Sequence, residues 1–549
     1  MKVYLINPQF NPTIWSFEGL QPFTGTRFST TPLGLATVAA LTPPYWQVEI
    51  TDENVEPINF DTDADLIGIT AFNVQYKRAL EIAQEFRRRG KPVVFGGPYC
   101  SLFPEAFEGK GDYRVSGESE EIWPEFLMDF EQGKAREFYK AEGEKINLEK
   151  TPVPRYDLIR GEKYNMFCLQ TSRGCPFQCE FCDIIVMDGR VPRIKTVDQI
   201  LAEVDHCVKQ GGHYIFFGDA NFIGNMPFAR KLLKAIVAYQ EKNNYPVEFC
   251  CELTINVAHQ PDLLELLQAA NFYTVFIGIE SPRHESLVET KKLQNTRKSI
   301  AEDIQRIHSH HISVCAGMIV GFDSDDLLIF KEQFDFLKEL GIPLTTCGTL
   351  VALPNTPLLK RLQAEGRLLD TEWTTMNGHG AADCNFIPRN MTIEELRLGY
   401  NWLIRCLYRY DSYSDRLVTL LNRYRNKTKE HKRAELDSKF KILLLKVLVY
   451  YLFTFDFKRM HFFVRSFYRV LIGGPYSVGK WLEFFRWIAT YRAFRKYVSE
   501  TQGIPEGADP ESPVFQDVAR VLPSMRVYEP KGGVVVNPAL MNRSKAQSS

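Results

Sequence analysis

The 549-residue chain has no long hydrophobic run. Its longest apolar stretch, Ile442–Phe455, is 14 residues broken by Lys446, against the ~20 that a membrane span requires. It has no surplus charge of one sign: 66 Lys plus Arg face 67 Asp plus Glu, which excludes a globally basic nucleic-acid binder. No histidine precedes His206, so the N-terminal part offers no imidazole to a ligand. The opening Met1-Lys-Val-Tyr-Leu-Ile-Asn-Pro8 is too short and too soon broken for a signal peptide. These absences predict a cytoplasmic protein with reduced thiols, at most attached to a membrane face. There is no internal repeat, and 45% apolar content excludes a disordered chain or a small disulfide scaffold.

What is present is unevenly spread. Residues 401–500 hold 21 Lys/Arg against 8 Asp/Glu, leaving 45 against 59 elsewhere. An acidic body with a basic, aromatic C-terminal segment points to an anionic partner, a membrane surface or a bulky acidic ligand. Residues 1–133 alternate short apolar runs (Lys2–Ile6, Gln47–Thr51, Asp65–Thr70, Pro92–Phe95, Tyr113–Val115) with helical periods, which predicts an α/β, doubly wound, Rossmann-like domain. Polar residues 134–162, with Pro152 and Pro154, read as a linker. Residues 163–388 hold six further strand-like runs separated by helices, the pattern of a partial (β/α)6 TIM barrel, whose ligands sit at the carboxyl ends of the strands. Thr392-Ile-Glu-Glu395 is a capping box opening a helical C-terminal region, 389–502, and the Pro/Gly-rich 503–549 reads as an extended or disordered tail.

The sharpest local feature is Cys175-Pro-Phe-Gln-Cys179-Glu-Phe-Cys182, directly after the first barrel strand. Three thiolates on one tight loop can hold three irons of a cubane cluster and leave the fourth open to a small molecule. A structural zinc site fits less well, because no further Cys or His follows at finger spacing. Most of the remaining nine cysteines read as small buried apolar residues.

Thr171-Ser-Arg-Gly-Cys-Pro-Phe-Gln-Cys-Glu-Phe-Cys182 resembles the cluster loop of the radical S-adenosylmethionine (SAM) enzymes, with an aromatic residue, Phe181, before the last cysteine. Gly218-Asp219 after the second strand resembles the family's motif for the SAM amino group. Gly278-Ile-Glu280-Ser281 resembles its ribose side, and Gly317-x-Ile319-x-Gly321-x-Asp323 its fifth-strand motif, with Asp where Glu is commoner. Leu353-Pro-Asn-Thr-Pro357, at the end of the sixth strand, resembles the family's adenine side. The resemblance implies a [4Fe-4S] cluster on Cys175, Cys179 and Cys182, with SAM cleaved to a 5′-deoxyadenosyl radical by an electron from a donor such as a flavodoxin or ferredoxin.

A doubly wound domain before such a barrel resembles the cobalamin-dependent branch. Pro32-Leu33-Gly34-Leu35, Thr70-Ala71, Gly96-Gly97-Pro98 and Ser116-Gly117-Glu118 resemble the loops that approach the cobalamin tail. The Asp-x-His-x-x-Gly motif that ligates cobalt elsewhere is absent, as is usual in this branch. The resemblance then implies methylation of an unactivated carbon through methylcobalamin. The rivals are an oxidative cyclase or oxidoreductase of tetrapyrrole type without methyl transfer, and a non-catalytic cobalamin or iron–sulfur regulator. A methylthiotransferase is disfavoured, since residues 1–130 contain only Cys100. The whole arrangement looks like the hopanoid and bacteriochlorophyll C-methylases, which implies a large apolar substrate, a polycyclic lipid or a tetrapyrrole. Leu443, Leu444, Val447, Leu448 and Tyr451, followed by the aromatic and cationic 462–487, read either as a bundle packed on the barrel or as a hydrophobic lid or membrane-facing patch. His213, Glu252 and Asn256 are candidates to line the barrel cavity, Glu252 the best of them for SAM or substrate; the catalytic hydrogen-handling residues are unassigned.

Overall fold

A computed structural model describes residues 1–11, 13–141, 145–369, 384–424, 438–473 and 478–501. The expected tail, 503–549, lies outside them.

The first sheet is parallel, in the order β3-β1-β4-β5-β6-β7. Its strands are β1 (Lys2–Asn7), β3 (Gln47–Asp52), β4 (Leu66–Thr70), β5 (Val93–Gly96), β6 (Tyr113–Ser116) and β7 (Phe138–Lys140). Alternation along β1 explains its two-sided burial. Val3 and Leu5 join the core under α1 (Leu33–Leu41) and α3 (Ser119–Glu131), while Tyr4 and Ile6 join Ala79, Ile82, Ala83 and Phe86 of α2 (Tyr76–Arg88) on the other face.

The second sheet runs β15-β14-β13-β12-β11-β8-β2. Six parallel strands in chain order, β8 (Tyr164–Leu169), β11 (Tyr214–Phe217), β12 (Glu248–Glu252), β13 (Phe272–Glu280), β14 (Ser313–Val320) and β15 (Thr345–Thr349), form the expected partial barrel. The helices between them are α4 (Val197–Lys209), α5 (Met226–Lys242), α6 (Pro261–Ala269), α7 (Ile300–His308) and α8 (Ile329–Leu340), with α9 (Pro357–Ala364) after β15. A two-residue ribbon, β9 (Ser172–Arg173) with β10 (Arg193–Ile194), closes the base of the cysteine loop.

Two features depart from the expectation. β2 (Phe28–Thr30), from the N-terminal part, pairs with β8 as the outermost strand of the barrel sheet, Phe28 opposite Tyr164 and Thr30 opposite Met166. The segment expected to be a linker is packed: it supplies β7, and Tyr156, fully buried, donates its hydroxyl to the Cys168 carbonyl at 2.5 Å. Its anchors Tyr139, Ile146, Leu148 and Tyr156 are spaced irregularly, so no period betrays them.

The C-terminal helices are α10 (Ile393–Leu407), opened by the expected Thr392/Glu395 capping box, α11 (Tyr410–Arg423), α12 (Ser438–Leu452), α13 (Phe457–Ile472) and α14 (Val478–Thr501). Among the described residues no helix is long and apolar enough to cross a membrane. α14 closes the floor of the barrel, the amino ends of its strands. Arg486 pairs with Glu248 at the start of β12 and lies 5.6 Å and 4.4 Å from the ring centres of Tyr214 and Tyr273. The indole of Trp487 donates to Ser313 at 3.4 Å. This helix is therefore no lid over the mouth. It also presses on the N-terminal segment: a Cβ on Gly19 would lie 2.5 Å from the Ala493 Cα, so only glycine fits there.

Candidate active site

The three cysteines sit where β8 delivers them, over the carboxyl end of the barrel. Gly174 takes φ +103°, and a Cβ there would meet the Val191 carbonyl at 2.8 Å. The glycine thus lets the loop close on residues 189–191, where Cys175 N donates to the Gly189 carbonyl at 3.2 Å. Cys179 is buried and accepts from Gln294 Nε2 at 3.7 Å. Lys292 is paired with Glu280 at 2.7 Å and stands 5.9 Å from the Phe181 ring centre. Burial opposes its charge, but Glu280 and then Cys179 outweigh this and raise its pKa. Burial pushes the Cys182 thiol up to about 12 and also raises Cys175.

No three acidic, His or Cys side chains among the described residues converge on one metal ion. A cubane does not require that, since each thiolate binds a different iron. The donor set fits such a cluster: three thiols on one loop, an amide N–H on one sulfur and a buried ammonium beside them. Two buried amide oxygens nearby, Gln294 Oε1 and Asn295 Oδ1, lack a hydrogen-bond partner and suit the ammonium or hydroxyls of SAM.

The strand-end motifs divide into those that face the mouth and those spent on the scaffold. Gly218 N donates to the Leu169 carbonyl at 2.7 Å, joining β11 to the cysteine strand. Asp219, expected at the SAM amino group, is fully engaged. It accepts from Thr171 N at 2.8 Å, Thr171 Oγ1 at 2.9 Å and Ser172 N at 2.5 Å. Burial nevertheless pushes its pKa up to about 6. Glu252, at the end of β12, has no hydrogen bond to its carboxylate among the described residues. It is half-buried, with protein crowded around the carboxylate. Burial, then the charge of Asp219, pushes it up to about 7.

Gly278 is a close-approach glycine: a Cβ would lie 2.3 Å from Glu280 Oε1 and 2.9 Å from Lys292 Nζ. Glu280, at φ +69°, is thereby locked onto Lys292, and Ser281 Oγ accepts from Arg283 N at 3.2 Å. Gly317 abuts the Phe276 ring, and Ile319 packs against the small core containing Phe322. The fifth-strand acid is not where the motif suggested. Asp323 pairs with Arg361 at 2.7 Å and Arg367 at 2.6 Å on the scaffold side. Asp325, two residues on, instead holds the Gly321 turn through Gly321 N at 2.9 Å and Phe322 N at 3.0 Å. His213 is exposed at the amino end of β11, away from the mouth, and Asn256 is tied to Thr254.

At the first sheet, Thr70, Ala71, Gly96, Gly97, Pro98, Ser116 and Gly117 do lie together at the carboxyl ends of β4, β5 and β6. A Cβ on Gly97 would meet Thr70 Oγ1 at 2.2 Å, and Gly117 N donates to Ser101 Oγ at 2.9 Å. Leu33-Gly34-Leu35, expected as a loop, is the first turn of α1, because Pro32 precedes a run with no breaker other than Gly34. Glu118 turns towards the barrel: it binds Arg173 at 2.9 Å and Arg193 at 2.8 Å, while Glu120 binds Arg173 at 2.7 Å. Arg173 is two residues before Cys175, so this bridge ties the first sheet's glycine turn to the cysteine loop.

Comparison with known proteins fits this geometry. Residues 169–337 match the Radical SAM superfamily model, 25–127 the B12 binding domain and 356–503 a domain of unknown function. The chain is 38% identical to an uncharacterized methyltransferase of Synechocystis sp. (76% of this chain, 78% of that protein). It is 33% identical to the hopanoid C-2 methylase of Rhodopseudomonas palustris (67% and 71%). It is 24% identical to the bacteriochlorophyllide d C-8(2)-methyltransferase of Chlorobaculum tepidum (63% and 79%). Its fold resembles that of the cobalamin-dependent SAM radical enzyme OxsB, with a TM-score of 0.58 at 17% identity over 95% of this chain and 84% of that one. The chain belongs to the cobalamin-dependent radical SAM methyltransferases, enzymes whose cofactors are a [4Fe-4S] cluster, SAM and cobalamin.

Proposed function

We propose that this methyltransferase adds a methyl group to an unactivated carbon of a large apolar molecule, a polycyclic lipid or a tetrapyrrole. Its likeness to the hopanoid and bacteriochlorophyllide methylases supports that substrate class. The observation that carries the reading is the Glu118/Glu120–Arg173 bridge, which fastens the glycine turns of the first sheet beside the thiol loop. Both cofactors would then act on one substrate in the space between.

When bound, the cluster and SAM supply a carbon radical and cobalamin supplies the methyl group. The chain's own residues bind and orient. Cys175, Cys179 and Cys182 would hold the cluster. Lys292 stands beside the thiolates as a fixed counter-charge, and Gln294 donates to one sulfur. Glu252, with a free carboxylate in the mouth, would take the ammonium of SAM, while Asp219 positions the strand before the cysteine loop. Gly218, the Glu280-Ser281 turn and the Gly317-x-Ile319-x-Gly321 edge would shape the rest of the SAM cradle. Thr70, Ala71, Gly96, Gly97, Pro98, Ser116 and Gly117 would let backbone approach the cobalamin tail. A flavodoxin or ferredoxin would supply the electron.

The test is product mass. Anaerobically reconstituted protein, given a reductant, SAM, cobalamin and either a pentacyclic triterpene or a chlorin, should yield a product heavier by one methyl group, with S-adenosylhomocysteine formed. Oxidised or cyclised product without methyl gain would refute the reading.

A further inference from the structure

The helical hairpin α12–α13 exposes apolar surface that the described residues leave uncovered. Its inner side is ordinary core: Val447, Tyr451, Phe462, Phe463, Ser466 and Val470 are buried against α11, α14 and the N-terminal segment. Its outer side carries two stripes at helical spacing, Ile442, Leu445 and Val449 on α12 and Val464, Tyr468 and Leu471 on α13, each roughly half exposed or more. A four-residue link, Phe453–Asp456, makes the two helices antiparallel neighbours, so the stripes run side by side. At the tip the rings are bare: Phe453 is 81% exposed, Phe455 99% and Phe457 71%. Scattered single exposures need no explanation, but a contiguous patch of this kind marks an interaction site.

Charge selects the partner. Between Lys441 and Ile472 there are six Lys/Arg and one acid, Asp456. Lys441, Lys446, Lys458 and Arg465 are exposed around the apolar stripes. Apolar stripes that end in bare rings and are flanked by cations match an anionic lipid interface, where rings enter the acyl boundary and cations meet headgroups. The hairpin is also anchored against the body, through Phe23 against Tyr450 (ring centres 5.5 Å apart) and Lys446 Nζ to the Phe23 carbonyl at 3.3 Å. We propose that α12–α13 docks the protein on the surface of an anionic bilayer, its three phenylalanines inserted, so that an apolar substrate can be drawn from the membrane. The docking stands on the surface itself; only the substrate clause rests on the function proposed above.

The test is flotation of the full chain with phosphatidylcholine vesicles, with and without phosphatidylglycerol. Wild type should float with the anionic vesicles. The Phe453→Ser/Phe455→Ser/Phe457→Ser variant should bind at least about tenfold more weakly, and Lys441→Glu/Arg465→Glu should lose the preference for anionic lipid while keeping the rings. Light scattering on the same samples reads the rival occupant. A doubled mass abolished by the serine variant, with no flotation, would show that a second copy covers the patch and overturn the proposal, as would flotation indifferent to both variants. Methyl transfer to detergent-dispersed substrate separates the two readings. If it persists while flotation fails, docking is refuted and the function stands; if flotation succeeds but only polar substrates are methylated, the reverse holds.

Discussion

The two ends of the barrel are built from the same strands and treat charge in opposite ways. At the floor, the half-buried Arg486 is met by Glu248 and Glu483 and by two tyrosine rings, so its charge is balanced. At the mouth, Glu252 has no ion partner among the described residues, the Cys175 and Cys182 thiols are pushed up by burial, and two amide oxygens are orphaned. The floor is arranged for stability. The mouth keeps a carboxylate without an ion partner at a cost in stability, which is how a preorganised cofactor site differs from a core.

The comparison can be broken most severely at the thiols. Cys179→Ala, reconstituted without oxygen, should lose the cubane absorbance almost entirely while the circular dichroism of the fold is kept. At the floor, Arg486→Ala should do the opposite. Stranding the half-buried Glu248 and the buried Glu483 should cost about 3–5 kcal/mol in denaturant unfolding, with cluster uptake retained in the folded fraction.

Glu252→Gln sharpens the contrast. A carboxyl whose folded pKa is about 7 holds its proton more tightly than in the unfolded chain. Stability is therefore lost as pH rises from the ordinary glutamate range to about 7, and the full penalty persists above it. The variant should be more stable than wild type by about 1–3 kcal/mol at pH 8 and no different near pH 4. SAM binding, read by calorimetry, should be about tenfold weaker in the variant and lose its rise through neutral pH. The smallest effect belongs to the bridge between the sheets: Glu118→Gln should cost about 1–2 kcal/mol and lower corrinoid retention after gel filtration, leaving the cluster spectrum unchanged.

Much of this was legible in the chain. The six barrel strands and the cysteine loop rest on local signals, a run of β-formers and a fixed spacing. The sites that eluded sequence reasoning depend on distant partners. Asp323 and Asp325 look alike in sequence, and only the position of Arg361 and Arg367 assigns the first to an ion-pair network and the second to the turn. Asp219 matched a motif but is consumed by Thr171 and Ser172, 48 and 47 residues upstream. Lys292, Gln294 and Asn295 lie in a polar stretch with no pattern and gain meaning from the thiols they face. Glu252 was visible because an acid closing an apolar run is locally anomalous.

The strand Phe28–Thr30 has a consequence for how the molecule can move. The chain leaves the first module, stitches itself to the edge of the second and returns to build α1, so one cut between residues 134 and 162 would not release two separable halves. Co-expressed fragments should therefore stay together, and less firmly when the seam at Phe28 is disrupted. The same seam opposes swinging one half of the molecule away from the other.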